Sequence, residues 1–456
     1  MNEILVSVIV PVLNGEKYIV EMLKSLVNQT LIKAEFIIVD GGSTDKTLEI
    51  IDCYSKQDPR IVLIHSDVRS SGAQYNKGIY SAKGEYIGFC EADDYLDTNM
   101  LKKLYDLAKE NDLDFIKSTF EHFFSVDGSN INIMENILGA DNKELYNTVI
   151  DPSRYARLIS IDIRMWNGLF KRDFLFRNSI KLNETSGASF QDIGFNIQTF
   201  ALAKRIMYVS GPSYHYRRDN DNSSVYSEKR CYFHIQEFMY YREFYCKNKD
   251  RICGELNARV LARFYRDVGA NCDKVNDAVR TSQGFIDRIL LFSIELKKAL
   301  SELSMAERLL INCDTRVDLS YLFEDVVKYI DFRKISNGLA KRRRSLWFDI
   351  VNQYNNLVIF GAGDVGRYTV GLLLKLGYNN IRAVYDNDTT LTGKNLLGIN
   401  ISIPKACSDN NDTLYIIAMS SHKNEVIDQL LSFGVNRNNI ISTLTTSCYV
   451  ALAMEN

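Results

Sequence analysis

Two segments near the start of the chain repeat one order of events: a β-branched run, a sharp turn, then helical periodicity. Residues 7–18 read SVIVPVLNGEKY and residues 35–47 read EFIIVDGGSTDKT. Val8, Ile9 and Val10 form the kind of apolar run that suits a strand covered on both faces. After it, Asn14 can cap a helix whose apolar positions Tyr18, Ile19, Met22, Leu23 and Leu26 keep the helical period. In the second segment Phe36 to Val39 lead into Asp40, two glycines, and Ser43 and Asp45 as competing helix caps. This alternation predicts a parallel sheet with helices on its faces, and such sheets bind ligands outside the carboxyl ends of their strands.

Residues 86–97, YIGFCEADDYLD, deliver Glu91, Asp93 and Asp94 to such an end, behind an apolar strand-like run. Clustered carboxylates without partners are costly there, so they call for a cation. Mg²⁺ or Mn²⁺, held by one or two carboxylates together with substrate phosphates, fits that need. Asp40 falls at a neighbouring strand end, where it also suits the plainer role of a turn former before Gly-Gly.

By these residues the chain resembles the family 2 glycosyltransferases, with the GT-A nucleotide-diphosphate-sugar fold. SVIVPVLNGEKYI, IIVDGGSTDKT, NKGIYSAKGEYIGF and EADDYL follow one another in that family's order within the first 120 residues. A second block is similar to the family's acceptor half: MWNGLFKRDFL at 165–175, SFQDIGFN at 189–196 and YHYRRDNDNSS at 214–224.

The resemblance implies that Pro11 and Asn14 border the nucleotide and that Asp40 accepts a hydrogen bond from the base ring. It implies that Asp93 ligates a metal bridging the donor's two phosphates, with Glu91 reaching ribose or a metal-bound water and Asp94 as an anchor behind them. Asn76 and Lys77 occupy a donor-binding segment where many relatives carry Ala-Arg-Asn. Tyr75 replaces that Arg here, and Arg69 is the candidate substitute cation. Asp192 falls where the family places the general base that takes the acceptor's proton, and displacement by one activated hydroxyl inverts the anomeric centre. Gln191 departs from the family's Glu-Asp, and a neutral neighbour should leave Asp192 less raised in pKa than that pair would. His215 is a candidate third metal ligand, and Arg217 and Arg218 are candidates to face phosphate. Trp166 reads as a core anchor rather than a sugar platform.

Lys plus Arg, 55, nearly cancels Asp plus Glu, 57, so the chain lacks the basic field that nucleic-acid binding needs. Nine cysteines, scattered without zinc or CxxC spacing, predict reduced thiols in a cytoplasmic protein. The first strand begins too near Met1 to leave room for a signal peptide, and no apolar stretch reaches about 18 residues. KRRR at 341–344 with Leu346, Trp347 and Phe348 suits a peripheral foot at the inner face of the plasma membrane. A solvated linker helix with a buried apolar end fits the same residues.

At 456 residues the chain exceeds one ordinary core. Three regions are expected: a GT-A domain over 1–224 (nucleotide-binding half about 1–120, acceptor half about 121–224), a helical region over 225–350, and a Rossmann-like domain over 351–456. The last rests on NLVIFGAGDVGRYTVGLLLKLG at 356–377, where a strand enters Gly361, Gly363 and Gly366 and a helix leaves them. Asp386 closes the next strand at the spacing expected for ribose recognition.

The expected fold class is therefore α/β: an N-terminal GT-A domain on a mostly parallel, Rossmann-like sheet, a helical middle region and a C-terminal Rossmann-like α/β domain. The resemblance implies an inverting glycosyltransferase, dependent on Mn²⁺ or Mg²⁺. It would move a sugar from a nucleotide-diphosphate donor, a UDP-sugar, to a hydroxyl of a surface glycan or lipid-linked saccharide. Two other readings stand beside it: an NAD(P)-dependent oxidoreductase driven by the C-terminal domain, and a non-catalytic sugar-nucleotide scaffold. The first lacks a Tyr-x-x-x-Lys, since Leu372 follows Tyr368 at that offset. Homo-oligomerisation stays open.

Overall fold

The computed structural model describes residues 3–126, 129–135, 137–161, 164–188, 190–220, 230–272, 275–309, 322–327, 329–330, 333, 347–404, 412–419 and 422–442. The chain divides into two compact units, Met1–His122 with Glu135–Lys334, and Phe123–Met134 with Ile335–Asn456.

The first sheet contains β1 (Val6–Val12), β2 (Ala34–Asp40), β3 (Ile61–His65), β4 (Tyr86–Phe89), β5 (Tyr95–Leu96), β6 (Phe115–Val126), β7 (Ser129–Glu135), β8 (Gly168–Lys171) and β9 (Ile206–Arg217). Their order is β3-β2-β1-β4-β8-β6-β9-β5, with β7 paired to β6. The first four run parallel, while β8 is antiparallel to β4 and β6 and β5 to β9. All seven residues of β2 are buried, as a strand covered on both faces requires. Chain order reverses between β1 and β4, which makes their carboxyl ends the topological switch where α/β sheets open a crevice.

Local chemistry explains the elements that shape this crevice. The β1–β4 pairing stops at Ile9 opposite Phe89, so Pro11 stands beyond it and its missing N–H weakens no pair there. Helix Ile19–Val27 buries Ile19, Met22, Leu23 and Leu26, the predicted periodic face. Helix Ser71–Ser81 starts at Ser70, whose hydroxyl accepts the Ala73 N–H at 3.2 Å. It lies so close to β1 that a Cβ on Gly78 would come within 2.3 Å of Ile9 Cγ2.

Helices Arg230–Asn248, Gly254–Cys272 and Gln283–Ser301 occupy the expected helical region but share one hydrophobic core with the sheet. Phe238 packs on Phe264 and Phe292, with ring centroids 5.6 and 4.9 Å apart. Among the described residues no helix is long and apolar enough to cross a membrane.

The second unit holds β10 (Asn356–Phe360), β11 (Ile381–Tyr385), β12 (Asn395–Leu396), β13 (Ile399–Ser402), β14 (Thr413–Ile417) and β15 (Ile440–Ser442), in the order β12-β13-β11-β10-β14-β15. All neighbours are parallel except β12 and β13. Helices Asp364–Lys375 and Lys423–Ser432 complete this Rossmann-like sheet. The basic run 341–344 and Leu346 lie outside the described residues. Trp347 is a core residue of this unit rather than a membrane foot: it is buried, and its indole N–H donates to the Ser442 carbonyl at 3.0 Å.

Candidate active site

At the carboxyl end of β2, Asp40 is almost fully buried and accepts the N–H groups of Gly42 at 2.9 Å and Ser43 at 3.1 Å. The carboxylate thus holds the Gly-Gly turn. Asn14 does not cap a helix, because helix Ile19–Val27 begins after Tyr18 without a side-chain cap. Its φ of 55° instead turns the β1 loop toward the β2 loop. There its N–H donates to Ser43 Oγ at 2.9 Å and its Oδ1 accepts the Thr44 N–H at 2.8 Å. Pro11, Asn14 and Asp40 therefore meet at one edge of the switch.

At the end of β4 the carboxylates of Glu91, Asp93 and Asp94 offer oxygens that all lie within 4.8 Å of one another. Asp94 is fully buried and has both oxygens engaged: the Tyr214 hydroxyl donates to Oδ2 at 2.6 Å and the Arg217 N–H to Oδ1 at 2.8 Å. Among the described residues the Asp93 carboxylate accepts from Asn220 Nδ2, at 2.6 Å through Oδ2. Glu91 receives no side-chain hydrogen bond among the described residues, although its own N–H donates to the Tyr214 oxygen at 3.0 Å. Burial, then the charges of Asp93 and Asp192, push Glu91 up to about 8. Burial, Asp93 and Glu91 likewise hold Asp94 well above the usual carboxylate range. Three carboxylates in this state are the donor set a hard divalent cation takes, so the residues fit such an ion.

Asp192 lies in the first turn of helix Gln191–Leu202. Burial raises it to about 6, against the Ile193 N–H and the positive charge of Arg263. Gln191 is not idle: its amide donates to Thr185 O and Oγ1, both at 3.1 Å, and to Gly187 O at 3.0 Å, which closes the loop beside Asp192. The Tyr75 phenol, buried on helix Ser71–Ser81, is raised by burial and then by Glu91 and Asp192. Those two acids and this phenol share one site.

Other expected residues are placed elsewhere. His215 does not join the acidic cluster. Its Nε2 pairs with Asp97 at 2.9 Å, its Nδ1 faces Glu121 at 3.5 Å, and its ring stacks on Tyr95 at 4.2 Å. Burial works against its charge, yet these two carboxylates push it up to about 9. An imidazolium so held offers no lone pair to a metal. Asn76 is buried and bonds Leu182 and Glu184, and Lys77 donates to the His65 carbonyl. Arg69 is exposed, with its carbonyl accepting the Gly187 N–H at 2.8 Å. Arg217 is buried against Glu21, Asp219 and the Asp93 carbonyl, so it faces protein rather than solvent. Arg218 lies over the Tyr216 ring at 5.4 Å and makes no ion pair among the described residues.

In the second unit, Gly361 has φ 114°, and a Cβ on Gly366 would meet the Gly361 carbonyl at 1.8 Å. Both glycines serve the turn itself. A Cβ on Gly363 would meet nothing within 4 Å. Asp386 reaches this loop, but its Oδ2 accepts the Ala362 N–H at 2.7 Å and its Oδ1 the Asp388 N–H at 2.9 Å.

Residues 7–208 match the glycosyl transferase family 2 model. Glycosyltransferase GlyG of Streptococcus pneumoniae is 32% identical over 224 residues, covering 47% of this chain and 71% of GlyG. The chain belongs to glycosyltransferase family 2. Glycosyltransferase EpsJ of Bacillus subtilis is 31% identical over 219 residues, and the match covers 48% of this chain and only 62% of EpsJ. Among solved structures, S. aureus TarS 1–349 in complex with UDP-GlcNAc aligns with a TM-score of 0.54 at 18% identity, over 74% of this chain and 92% of TarS 1–349. That likeness identifies the GT-A fold. The family 2 segment stops at residue 208, so Tyr214, Asn220 and Glu237 lie beyond it. Sequence reasoning missed all three as site residues. Tyr214 alone carried a signal, in the alternation of Tyr214 and Tyr216 that stacks both on Trp166 at 4.3 and 5.1 Å.

Proposed function

We propose that this family 2 protein transfers a sugar from a UDP-sugar to a hydroxyl of a surface glycan or lipid-linked saccharide, inverting the anomeric carbon. The observation that carries the reading is convergence at one switch point: the Asp40 turn, the Glu91-Asp93-Asp94 cluster and half-buried Asp192 surround the carboxyl ends of β1, β2 and β4. The choice of UDP is supported by the UDP-GlcNAc complex of S. aureus TarS, a protein of the same fold.

In this reading Pro11, Asn14 and the Asp40 turn border the base and ribose. Asp93 and Glu91 would hold Mn²⁺ or Mg²⁺ against the donor diphosphate, with Asp94 fixed behind them. The ion, when bound, supplies positive charge to the departing diphosphate. Arg218 is the side-chain cation we assign to the same phosphates, and exposed Arg69 is a second. Asp192 takes the proton from the acceptor hydroxyl, whose oxygen attacks the anomeric carbon on the face opposite the leaving group. Its elevated pKa suits a base that works near neutral pH. The second unit is assigned a binding or assembly role, because Asp386 is engaged by its own loop.

The test is UDP release from a panel of UDP-sugars with Mn²⁺, with and without EDTA. At least one donor should turn over only with the metal present. Complete inactivity with every donor, or full activity in EDTA, would sink the proposal.

A further inference from the structure

Helix Arg230–Asn248 lies beyond the family-matched segment, yet it grips the turn that carries Asp192 at two points. His234 stacks on Phe190, the residue just before helix Gln191–Leu202, with centroids 4.9 Å apart and planes at 27°. Phe190 holds φ at 60°, a left-handed conformation that an aromatic residue keeps only when its surroundings impose it. One turn along, Glu237 is fully buried against Gly194, where a Cβ would come within 2.4 Å of Glu237 Oε2. Asn183 Nδ2 donates to Oε1 at 2.9 Å, and the Gly194 backbone N–H in the first helical turn acts on the same carboxyl. A fully buried carboxyl held by neutral donors, with no cation paired to it among the described residues, tolerates its neutral form better than its charged form.

We propose that Glu237 is a positioning residue for Asp192: its neutral carboxyl packs the first turn of helix Gln191–Leu202, and its ionisation disrupts that turn. The inference rests on the reading of Asp192 as the base. Asp192 faces Glu237 from helix Gln191–Leu202, and Tyr240 faces it from its own helix. Glu184 acts on Tyr240 from the adjoining loop, and Arg263 faces Asp192 from helix Gly254–Cys272. His234 precedes Glu237 on the same helix. No cation among these touches Glu237. Burial first, together with the charge of Asp192 and against the Asn183 and Gly194 hydrogen bonds, pushes Glu237 up to about 8. It stays neutral while Asp192 ionises, and becomes a second buried anion only above that range.

Two measurements test this in the full chain. Without any donor, melting temperatures of wild type and Glu237→Gln are compared from pH 4.5 to 9. The unfolded glutamate ionises near its ordinary value and the folded one near 8, so the unfolded state gains over that span. The lead of the Gln variant over wild type should therefore grow up to about pH 8 and then level. A lead that stays flat overturns the proposal.

The second follows UDP release from UDP-GlcNAc with Mn²⁺ across the same range, with Asp192→Asn alongside. Wild type should fall above pH 8 while Glu237→Gln does not, a ratio of about tenfold one unit above the pKa. A Gln variant that falls together with wild type overturns the role of Glu237 and leaves Asp192 standing. A folded Asp192→Asn protein that keeps its rate overturns both.

Discussion

The hydroxyl of Tyr214 donates to Oδ2 of Asp94 at 2.6 Å and takes the Glu91 N–H on its other side at 3.0 Å. One phenol on β9 thus fixes both ends of the acidic turn after β4. Tyr214→Phe keeps the stacking on Trp166 and removes only the oxygen. Losing a partner behind a metal ligand typically costs about 10- to 100-fold in metal affinity. Mn²⁺ binding measured by calorimetry is expected to weaken at least tenfold by that principle, with about 1–3 kcal/mol lost in chemical denaturation. Unchanged affinity would detach Tyr214 from the cluster.

Asp93→Asn keeps the shape of the side chain and removes one charge. Asp93 raises both Glu91 and Asp94, so the variant should fold at least as stably as wild type. Its Mn²⁺-dependent stabilisation by UDP should disappear, because ligand stabilisation follows mass action on the folded state. A thermal-shift titration with UDP, with and without Mn²⁺, reads this directly. The same stabilisation in the variant would remove Asp93 from the metal site.

The parallel sheet and the three carboxylates are legible in the sequence because their signals are local. β-branched runs, glycine turns and adjacent acids each declare themselves within a dozen residues. His215 is misread for the opposite reason. Its surroundings depend on β9 lying between β5 and β6: β5 sets Tyr95 opposite His215, and Asp97 after β5 and Glu121 on β6 reach its ring nitrogens. No neighbour in sequence reports that register. Glu237 is hidden differently, since its helix carries no motif and no clear apolar stripe, so nothing in sequence separates a buried acid from a solvated one.

The three glycines of the 361–366 loop look alike in sequence and differ in the fold. Gly366→Ala drives a methyl into the Gly361 carbonyl, 1.8 Å away by ideal geometry, while Gly363→Ala meets no atom within 4 Å. Gly366→Ala should destabilise the second unit by several kcal/mol, the scale of severe overpacking, and Gly363→Ala by about 1 kcal/mol or less. Chemical denaturation followed by hydrogen exchange on β10 and β14 separates the two. Equal losses would show that the loop is not packed as described.

In its proposed role as the base, Asp192 links catalysis to stability with opposite signs. Its carboxyl is raised from 3.8 to about 6, so the folded state holds a proton that the unfolded state has released. The contribution of Asp192 to stability is greatest below pH 4 and declines as pH rises through about 6, by on the order of 3 kcal/mol in total. The proposed base must be ionised to act, so turnover is expected to rise over the range in which this contribution to stability falls. Asp192→Asn should therefore melt higher than wild type at pH 7.5 and equally at pH 4. Its UDP affinity should stay within about threefold, while turnover drops by about 10²–10⁴-fold, the usual contribution of a general base. Loss of UDP binding would reassign Asp192 to the donor, and a melting advantage that persists at pH 4 would show that its burial does not act through charge.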